Sequence, residues 1–262
     1  RGLAGYVRNM GDAGVEIVIE GSKSEMDRFL IELREKKPPL ARIYDLSCNF
    51  SMQKNEFKDF SIVSSAEGGD SSGSVIPPDI AICEECVYEL RDPENSRYNY
   101  FFITCTDCGP RYTIIEKLPY DRDNTTMKAF QLCRKCAREY RTPVDRRFHA
   151  QTVACAKCGP GVFLTDCNGG KIASSDPVRD AGRFIEKGKI LAVKGYGGFH
   201  IASSTLLDDP VPRLRKTKQR RQKPFAIMAR DLEAIRSFAV VSGAEERLLT
   251  SEVRPIVLLK KR

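Results

Sequence analysis

Three features of the 262-residue sequence predict an α+β protein of several domains rather than one continuous core. The first sixty or so residues read strand, strand, helix, strand. A central stretch sets eight of the ten cysteines in four Cys-x-x-Cys pairs. From Asp176 onward, apolar helical stripes alternate with short apolar runs, the pattern of a twisted α/β domain. The boundaries that follow are 1–62, a linker at 63–76, a duplicated finger region at 77–170 with repeats at 83–108 and 133–158, and a last domain at 176–262.

Residues 4–9 and 15–20 have strand character. In the second run Val15, Ile17 and Ile19 alternate with Glu16, Val18 and Glu20, the period of two of a half-buried strand, and Met10 to Gly14 supply the turn. Ser24 with Asp27 marks a helix start, after which Met26, Phe29, Leu30 and Leu33 share one face. Pro38-Pro39 ends that helix, and residues 43–50 are expected to form another strand. Residues 64–74 hold eight serines and glycines in eleven positions, too little apolar surface for anything but a flexible linker.

Pro77-Pro78-Asp79 then opens the cysteine-rich stretch. The pairs are Cys83/Cys86, Cys105/Cys108, Cys133/Cys136 and Cys155/Cys158, and residue 83 maps onto 133, and 108 onto 158, with a constant offset of fifty. This is an internal duplication. Glu89/Glu139, Pro93/Pro143, Arg97/Arg147, Tyr98/Phe148 and a repeated Cys-Gly-Pro keep the same register. Two cysteines three residues apart on a tight turn aim both sulfurs at one ion, and a second such turn completes a tetrahedral four-thiolate site. Two structural zinc ions are expected, one per repeat in sequential pairing, with iron as the other metal such thiolates accept. A disulfide framework fits poorly with so modest a cysteine density, and a redox Cys-x-x-Cys would occur once rather than four times in register. Gly109 and Gly159 are expected at positive φ, where backbone N–H groups can turn toward sulfur. Residues 98–102 and 112–115 offer short aromatic strands. His149 is expected to be hydrogen-bonded inside the second finger rather than a fifth ligand, and Cys48 and Cys167 to be buried fillers.

Asp176-Pro177 is an N-cap followed by proline at the first helical position, with Val178, Ala181, Phe184 and Ile185 as the apolar stripe and Gly188 as the stop. An apolar strand at 190–193 leads into Lys194-Gly-Tyr-Gly-Gly-Phe-His200. Gly195, Gly197 and Gly198 make either a ligand turn or a plain tight turn; residues 182–189 have the wrong spacing for a phosphate loop of the Walker type. Residues 213–223 carry seven positive charges in eleven positions and no acid, a density that calls for an anionic ligand. Strands at 225–228 and 256–259 and a short helix around Leu232 and Ile235 complete the domain.

Lysine and arginine number 43 against 35 acids, a net charge of +8, suited to phosphorylated partners. No apolar run approaches the ~20 residues of a membrane span. A membrane partner is therefore not expected, and a cytoplasmic location is the default. The two ends read as cut from a longer polypeptide.

Gly5-Tyr6-Val7-Arg8-Asn9, the turn with Asp12 and Val15-Glu16 resemble the latter part of an acylphosphatase domain, a ferredoxin-like sandwich. The resemblance implies that Asn9 positions an attacking water while an arginine in an earlier glycine-rich loop binds phosphate. Arg1 and Arg8 do not stand in that loop's motif, so residues 1–62, lacking the charge clamp, are expected to hydrolyse acyl phosphates poorly. From the residues alone, Asn9 as a turn residue is the simpler reading. Cys105-Thr-Asp-Cys-Gly-Pro-Arg111-Tyr-Thr-Ile, Pro119-Tyr-Asp-Arg122 and Asp145-Arg-Arg-Phe-His149-Ala-Gln151 with the following Cys-x-x-Cys-Gly-Pro resemble the finger region of the HypF-type hydrogenase maturation carbamoyltransferases. The order of the three regions is also that family's. Lys218-Gln-Arg220-x-x-Lys223 with Lys194 and its glycine turn resembles the first half of a YrdC-like domain, which implies that Lys194, Lys218, Arg220 and Lys223 line a cavity for ATP and an acyl substrate. The resemblance implies part of an enzyme that converts carbamoyl phosphate and ATP, with Mg²⁺, to carbamoyl adenylate for transfer to a HypE-type acceptor protein. The alternatives are a zinc-finger protein that binds nucleic acid, RNA included, and a tRNA threonylcarbamoyl-AMP synthase-like protein. The first places its basic stretch outside the fingers, and the second leaves the fingers unexplained.

Overall fold

The computed structural model describes residues 2–10, 14–37, 41, 43–52, 56–63 and 76–262. They fall into two units, Arg1–Pro78 with Ile115–Ala129 and Asp79–Ile114 with Phe130–Arg262. The expected turn at 11–13, Pro38-Pro39 and the linker at 64–74 lie outside the described residues.

In the first unit β1 (Ala4–Asn9) runs antiparallel to β2 (Val15–Glu20), in register from Ala4 opposite Glu20 to Asn9 opposite Val15. Met10 N–H closes the hairpin on the Gly14 carbonyl at 2.9 Å. After α1 (Lys23–Glu35), β3 (Phe60–Ile62) adds parallel to the other edge of β1, giving the order β2-β1-β3. The expected strand at 43–50 does not form. Both edges of β1 are taken by β2 and β3, the run pairs with neither of those strands, and Tyr44 and Phe50 stay exposed. The helix start also differs from expectation: the cap is Ser22, not Ser24. Ser22 Oγ accepts the Glu25 N–H while the Glu25 carboxylate takes the Ser22 N–H at 2.9 Å, a reciprocal box that the shorter Asp27 side chain closes less well.

Gly5 sits at the centre of the sheet with φ +142°, and a Cβ there would lie 1.9 Å from the Val18 carbonyl oxygen. Backbone cannot yield as a flexible side chain does. Gly5→Ala is therefore expected to destabilise this unit by about 2–4 kcal/mol, to be read from the urea midpoint; an unchanged midpoint would refute the close packing at this position.

In the second unit, α2 (Glu84–Arg91) and α3 (Arg134–Arg141) open on Cys83 and Cys133 as N-caps. The fifty-residue repeat is written into the backbone. Tyr98 N–H bonds the Asn95 carbonyl as Phe148 bonds Asp145, and Asn99 bonds Leu90 as His149 bonds Tyr140. Asn99 and His149 both take left-handed φ, 53° and 52°. Residues 98–102 are turns and Tyr112–Ile114 a 3-10 turn, not the strands expected; Tyr100 and Phe102 are buried in a small core instead of pairing edges, while Tyr98 and Tyr112 stay exposed. A hairpin of β4 (Leu164–Thr165) and β5 (Lys171–Ile172) follows, and Asp166 Oδ1 accepts the N–H groups of Asn168 and Gly170 in its turn.

The last part runs α4 (Pro177–Glu186), β6 (Leu191–Lys194), β7 (Phe199–Ala202), α5 (Pro210–Thr217), α6 (Leu232–Phe238), β8 (Ala239–Val240), α7 (Gly243–Thr250) and β9 (Lys260–Lys261). Asp176 caps α4 by accepting the Arg179 N–H at 3.0 Å, with Pro177 at the first helical position as expected. Gly188 has φ +76° after the helix. The runs 225–228 and 256–259 make no ladder among the described residues, and Met228, Ile256 and Leu258 are exposed. A strand exists only through its neighbour, and here the pairs are β6 with β7 and β8 with β9.

Candidate metal centres and the basic segment

Each Cys-x-x-Cys at a helix start puts its first cysteine at the N-cap and its second on the first turn, Cys86 in α2 and Cys136 in α3. Both sulfurs then lie at the positive end of the helix. The two later pairs return along loops. All four sulfurs of Cys83, Cys86, Cys105 and Cys108 lie within 4.8 Å of one another, as do those of Cys133, Cys136, Cys155 and Cys158. Neighbouring sulfurs are 3.6–3.8 Å apart in the first group and 3.8 Å in the second. A tetrahedral site with metal–sulfur bonds of about 2.3 Å requires edges of about 3.8 Å. The geometry is that of two closed four-thiolate zinc sites in the sequential pairing the spacing predicts. None of the eight cysteines is in a disulfide.

The sulfurs sit in contrasting fields. Burial pushes the Cys83 thiol up to about 12, while the Cys136 backbone N–H at the start of α3 draws Cys133 down to about 7. Around them the apolar cores are small: Ile103 is buried against the first group, Ala150 and Val153 against the second. Gly109 has φ +98° as expected. Gly159 is held by crowding instead, since a Cβ there would meet Tyr100 Oη at 2.2 Å and Ala154 Cβ at 2.5 Å. Cys48 and Cys167 are exposed, not buried: neither stands on an element that faces a core. His149 is exposed rather than inside the finger, its ring tilted against Tyr140 and edge-on to Phe148 with centroids at 5.1 and 4.5 Å.

The two repeats are braced through each other. Arg97 Nε donates to the Ala154 carbonyl at 2.8 Å and its fork grips both oxygens of Glu139. Fifty residues on, Arg147 Nε donates to the Thr104 carbonyl at 2.9 Å and its fork grips Glu89. Burial raises the Glu139 carboxyl, but the Arg97 fork more than offsets it and holds the group below its ordinary value. These residues stand out in the sequence only as register matches; the function of the matches lies in contacts across the duplication. Removing one partner of a buried pair costs about 3–5 kcal/mol. Arg146 also holds a Glu89 oxygen at 2.6 Å, so Arg147→Met is expected at the lower end, about 3 kcal/mol, in denaturant unfolding of the metal-loaded protein.

Lys194 ends β6, its ammonium 5.2 Å from the Phe199 ring centroid, and Gly195 N–H closes the glycine turn on the Gly198 carbonyl at 2.7 Å. Tyr196 donates to the Phe101 carbonyl at 3.4 Å and meets Phe102 edge-on. The helix carrying the basic run ends at Thr217, with Lys218 as its cap. The chain then folds back: Arg215 Nη1 bonds the carbonyls of Arg220 and Lys223, Arg220 Nη2 bonds that of Pro224, and both guanidinium groups lie over Phe225 at 4.8 and 5.3 Å. This fold-back carries the backbone of Arg220 and Lys223 past Arg215, with Lys218 at the cap of α5. Of Asn9 the described backbone ends β1 opposite Val15. Arg8 is committed to Glu16 at 2.7 Å, which also takes the Tyr6 hydroxyl at 2.8 Å.

Family models match all three regions: an acylphosphatase model over residues 1–62, the HypF finger model over 82–115 and 132–165, and a model described as telomere recombination, of the Sua5/YciO/YrdC group, over 183–262. The probable carbamoyltransferase HypF of Methanocaldococcus jannaschii is 50% identical over 259 residues, 99% of this chain and 34% of that protein. The chain belongs to the HypF family. HypF2 of Cupriavidus necator is 46% identical over 100% of the chain and 32% of its own length. A crystal structure of full-length HypF in its phosphate- and nucleotide-bound form superposes with a TM-score of 0.90 at 45% identity, covering 99% of this chain and 34% of that one. HypF of T. kodakarensis gives 0.84 at 48% identity, over 99% of this chain and 32% of that one. The chain thus spans about a third of the length of the curated relatives it matches. The ferredoxin-like acylphosphatase fragment, duplicated fingers and partial YrdC-like domain are those of HypF, and the two tetrathiolate groups fit its zinc fingers. Among the described residues no helix is long and apolar enough to cross a membrane.

Proposed function

We propose that this chain forms part of a carbamoyltransferase that turns carbamoyl phosphate and ATP into carbamoyl adenylate and passes the carbamoyl group to a cysteine of a HypE-type acceptor in hydrogenase maturation. The observation that carries this reading is the whole-chain likeness to HypF, including full-length HypF in its phosphate- and nucleotide-bound form. Two structural zinc ions hold the fingers, one on Cys83, Cys86, Cys105 and Cys108 and one on Cys133, Cys136, Cys155 and Cys158. Four thiolates leave no open position for water, so the fingers scaffold rather than catalyse.

In this scheme Asn9 orients the water that splits carbamoyl phosphate into carbamate and phosphate. A carbamate oxygen then attacks the α-phosphorus of ATP and expels pyrophosphate. Lys194, Lys218, Arg220 and Lys223 neutralise the charge that builds on the phosphates, and Mg²⁺ accompanies ATP. A cytoplasmic setting suits these substrates. The nucleic-acid reading is weakened by the fold of the basic run: Arg213 pairs with Asp209 and Arg215 turns onto two backbone carbonyls and Phe225, so the charge is not spread as a track for phosphates. Mass spectrometry of a HypE-type acceptor, incubated with carbamoyl phosphate, ATP and a full-length protein carrying these residues, should show one added carbamoyl group. Adenylate formation with threonine and bicarbonate but not carbamoyl phosphate would favour the threonylcarbamoyl-AMP synthase reading instead.

A further inference from the structure

The sulfur contacts of Arg97, buried, and Arg146, half-buried, cross the duplication. Arg97 belongs to the first repeat and is 2% exposed, yet its whole fork is spent on the second: besides Glu139 and the Ala154 carbonyl, Nη2 donates to Cys136 Sγ at 3.4 Å. In the other direction the sulfur contact is made by Arg146, one residue before Arg97's counterpart. Its Nη2 donates to Cys83 Sγ at 3.4 Å and Cys86 Sγ at 3.3 Å while Nη1 holds Glu89. At the position equivalent to Arg146 the first repeat has Ser96, which accepts from Lys135 at 2.6 Å.

Four thiolates around a divalent ion leave a net double negative charge, which a poorly solvated site must share with nearby donors. In each finger the guanidinium that does so comes from the other finger. The first repeat's own Arg111 is spent on the carbonyls of Thr106 and Gly109. We propose that the two metal sites form one coupled unit, in which Arg97 is a positioning residue for the site of Cys133, Cys136, Cys155 and Cys158, and Arg146 for the site of Cys83, Cys86, Cys105 and Cys108. When either finger opens, it withdraws the donor from the other's thiolates and leaves Glu139 or Glu89 short of its partner. Neither ion is then held as firmly alone as in the pair.

The test uses the full-length, zinc-loaded protein with Arg97→Lys and, separately, Arg146→Lys. Lysine keeps the charge and loses the fork, so folding is spared more than with alanine. Chelator-driven zinc release is followed while a cysteine alkylating reagent is present, and mass spectrometry reads which cysteines react first. Arg97→Lys is expected to speed alkylation of Cys133, Cys136, Cys155 and Cys158 about tenfold, ahead of the repeat in which Arg97 itself resides; Arg146→Lys is expected to expose Cys83, Cys86, Cys105 and Cys108 first. A purely local structural role predicts the opposite order. Alkylation that begins in the substituted residue's own repeat, or proceeds at the wild-type rate, overturns the proposal. As a second measurement, Cys83→Ser with Cys86→Ser should hasten zinc loss from the intact second site by a similar factor; unchanged retention there would sink the coupling even if the arginine variants failed to fold. None of these readouts depends on the carbamoyl chemistry.

Discussion

Cys108→Ser is expected to cost the protein its first zinc ion and, with it, the folded state of the first finger. Cys108 is 1% exposed and packs with Cys86, Cys105 and Ile103, with Ile80, Ile82, Cys83 and Leu90 as partly buried cover among the described residues. A cluster that small cannot repay the entropy of ordering its loops. The missing free energy comes from the metal, on the order of 10 kcal/mol for a structural zinc site. A serine hydroxyl at this position is neutral and hard where the site requires a thiolate. Elemental analysis should fall below two zinc ions per chain, and limited proteolysis should cut within residues 84–104, which resist in the wild type. Full zinc content with unchanged protection would show that the finger stands without its metal.

Lys218→Ala is expected to lower carbamoyl adenylate formation by about a hundredfold or more while zinc content and unfolding midpoint stay at wild-type values. Removing one donor to developing phosphate charge typically costs that much. The exposed Lys218 side chain sits at the cap of α5, and its ammonium makes no hydrogen bond or ion pair among the described contacts, so its loss disturbs no packing. Arg213→Ala should change the rate little, because that guanidinium is engaged with Asp209 and the Gly188 carbonyl. A nucleic-acid binder would behave differently: each basic residue of 213–223 would contribute similarly, and each loss would reduce the salt slope of affinity by about one unit. Measuring adenylate formation and RNA affinity on the same variants separates the two.

The metal centres were legible because chelation by backbone turns is local. The offset of fifty from Cys83 to Cys133 fixed both the ligands and their pairing, and the first hairpin followed from the alternation in 15–20. What escaped the sequence was decided by distant partners. Residues 43–50, 225–228 and 256–259 have the composition of strands but pair with no neighbour among the described residues, and composition says nothing of neighbours. The cap of α1 turned on one methylene, the reach of Glu25 against Asp27. The mutual bracing of the fingers was visible only as conserved register within the chain, Arg97 with Arg147 and Glu89 with Glu139; nothing in one repeat tells that its arginine is meant for the other. Arg146 had no such signal, since its counterpart is Ser96. Within the basic run, charge density pointed to an anion, whereas the turning of Arg215 and Arg220 onto carbonyls and Phe225 depends on the chain reversing after Thr217.

The most direct measurement is isotope exchange between pyrophosphate and ATP in a full-length protein that carries these residues, with and without carbamoyl phosphate. Carbamoyl adenylate formed reversibly at Lys194, Lys218, Arg220 and Lys223 predicts exchange that requires carbamoyl phosphate and disappears in Lys218→Ala with both zinc ions still bound. Exchange indifferent to carbamoyl phosphate, or undiminished in Lys218→Ala, would contradict the assignment.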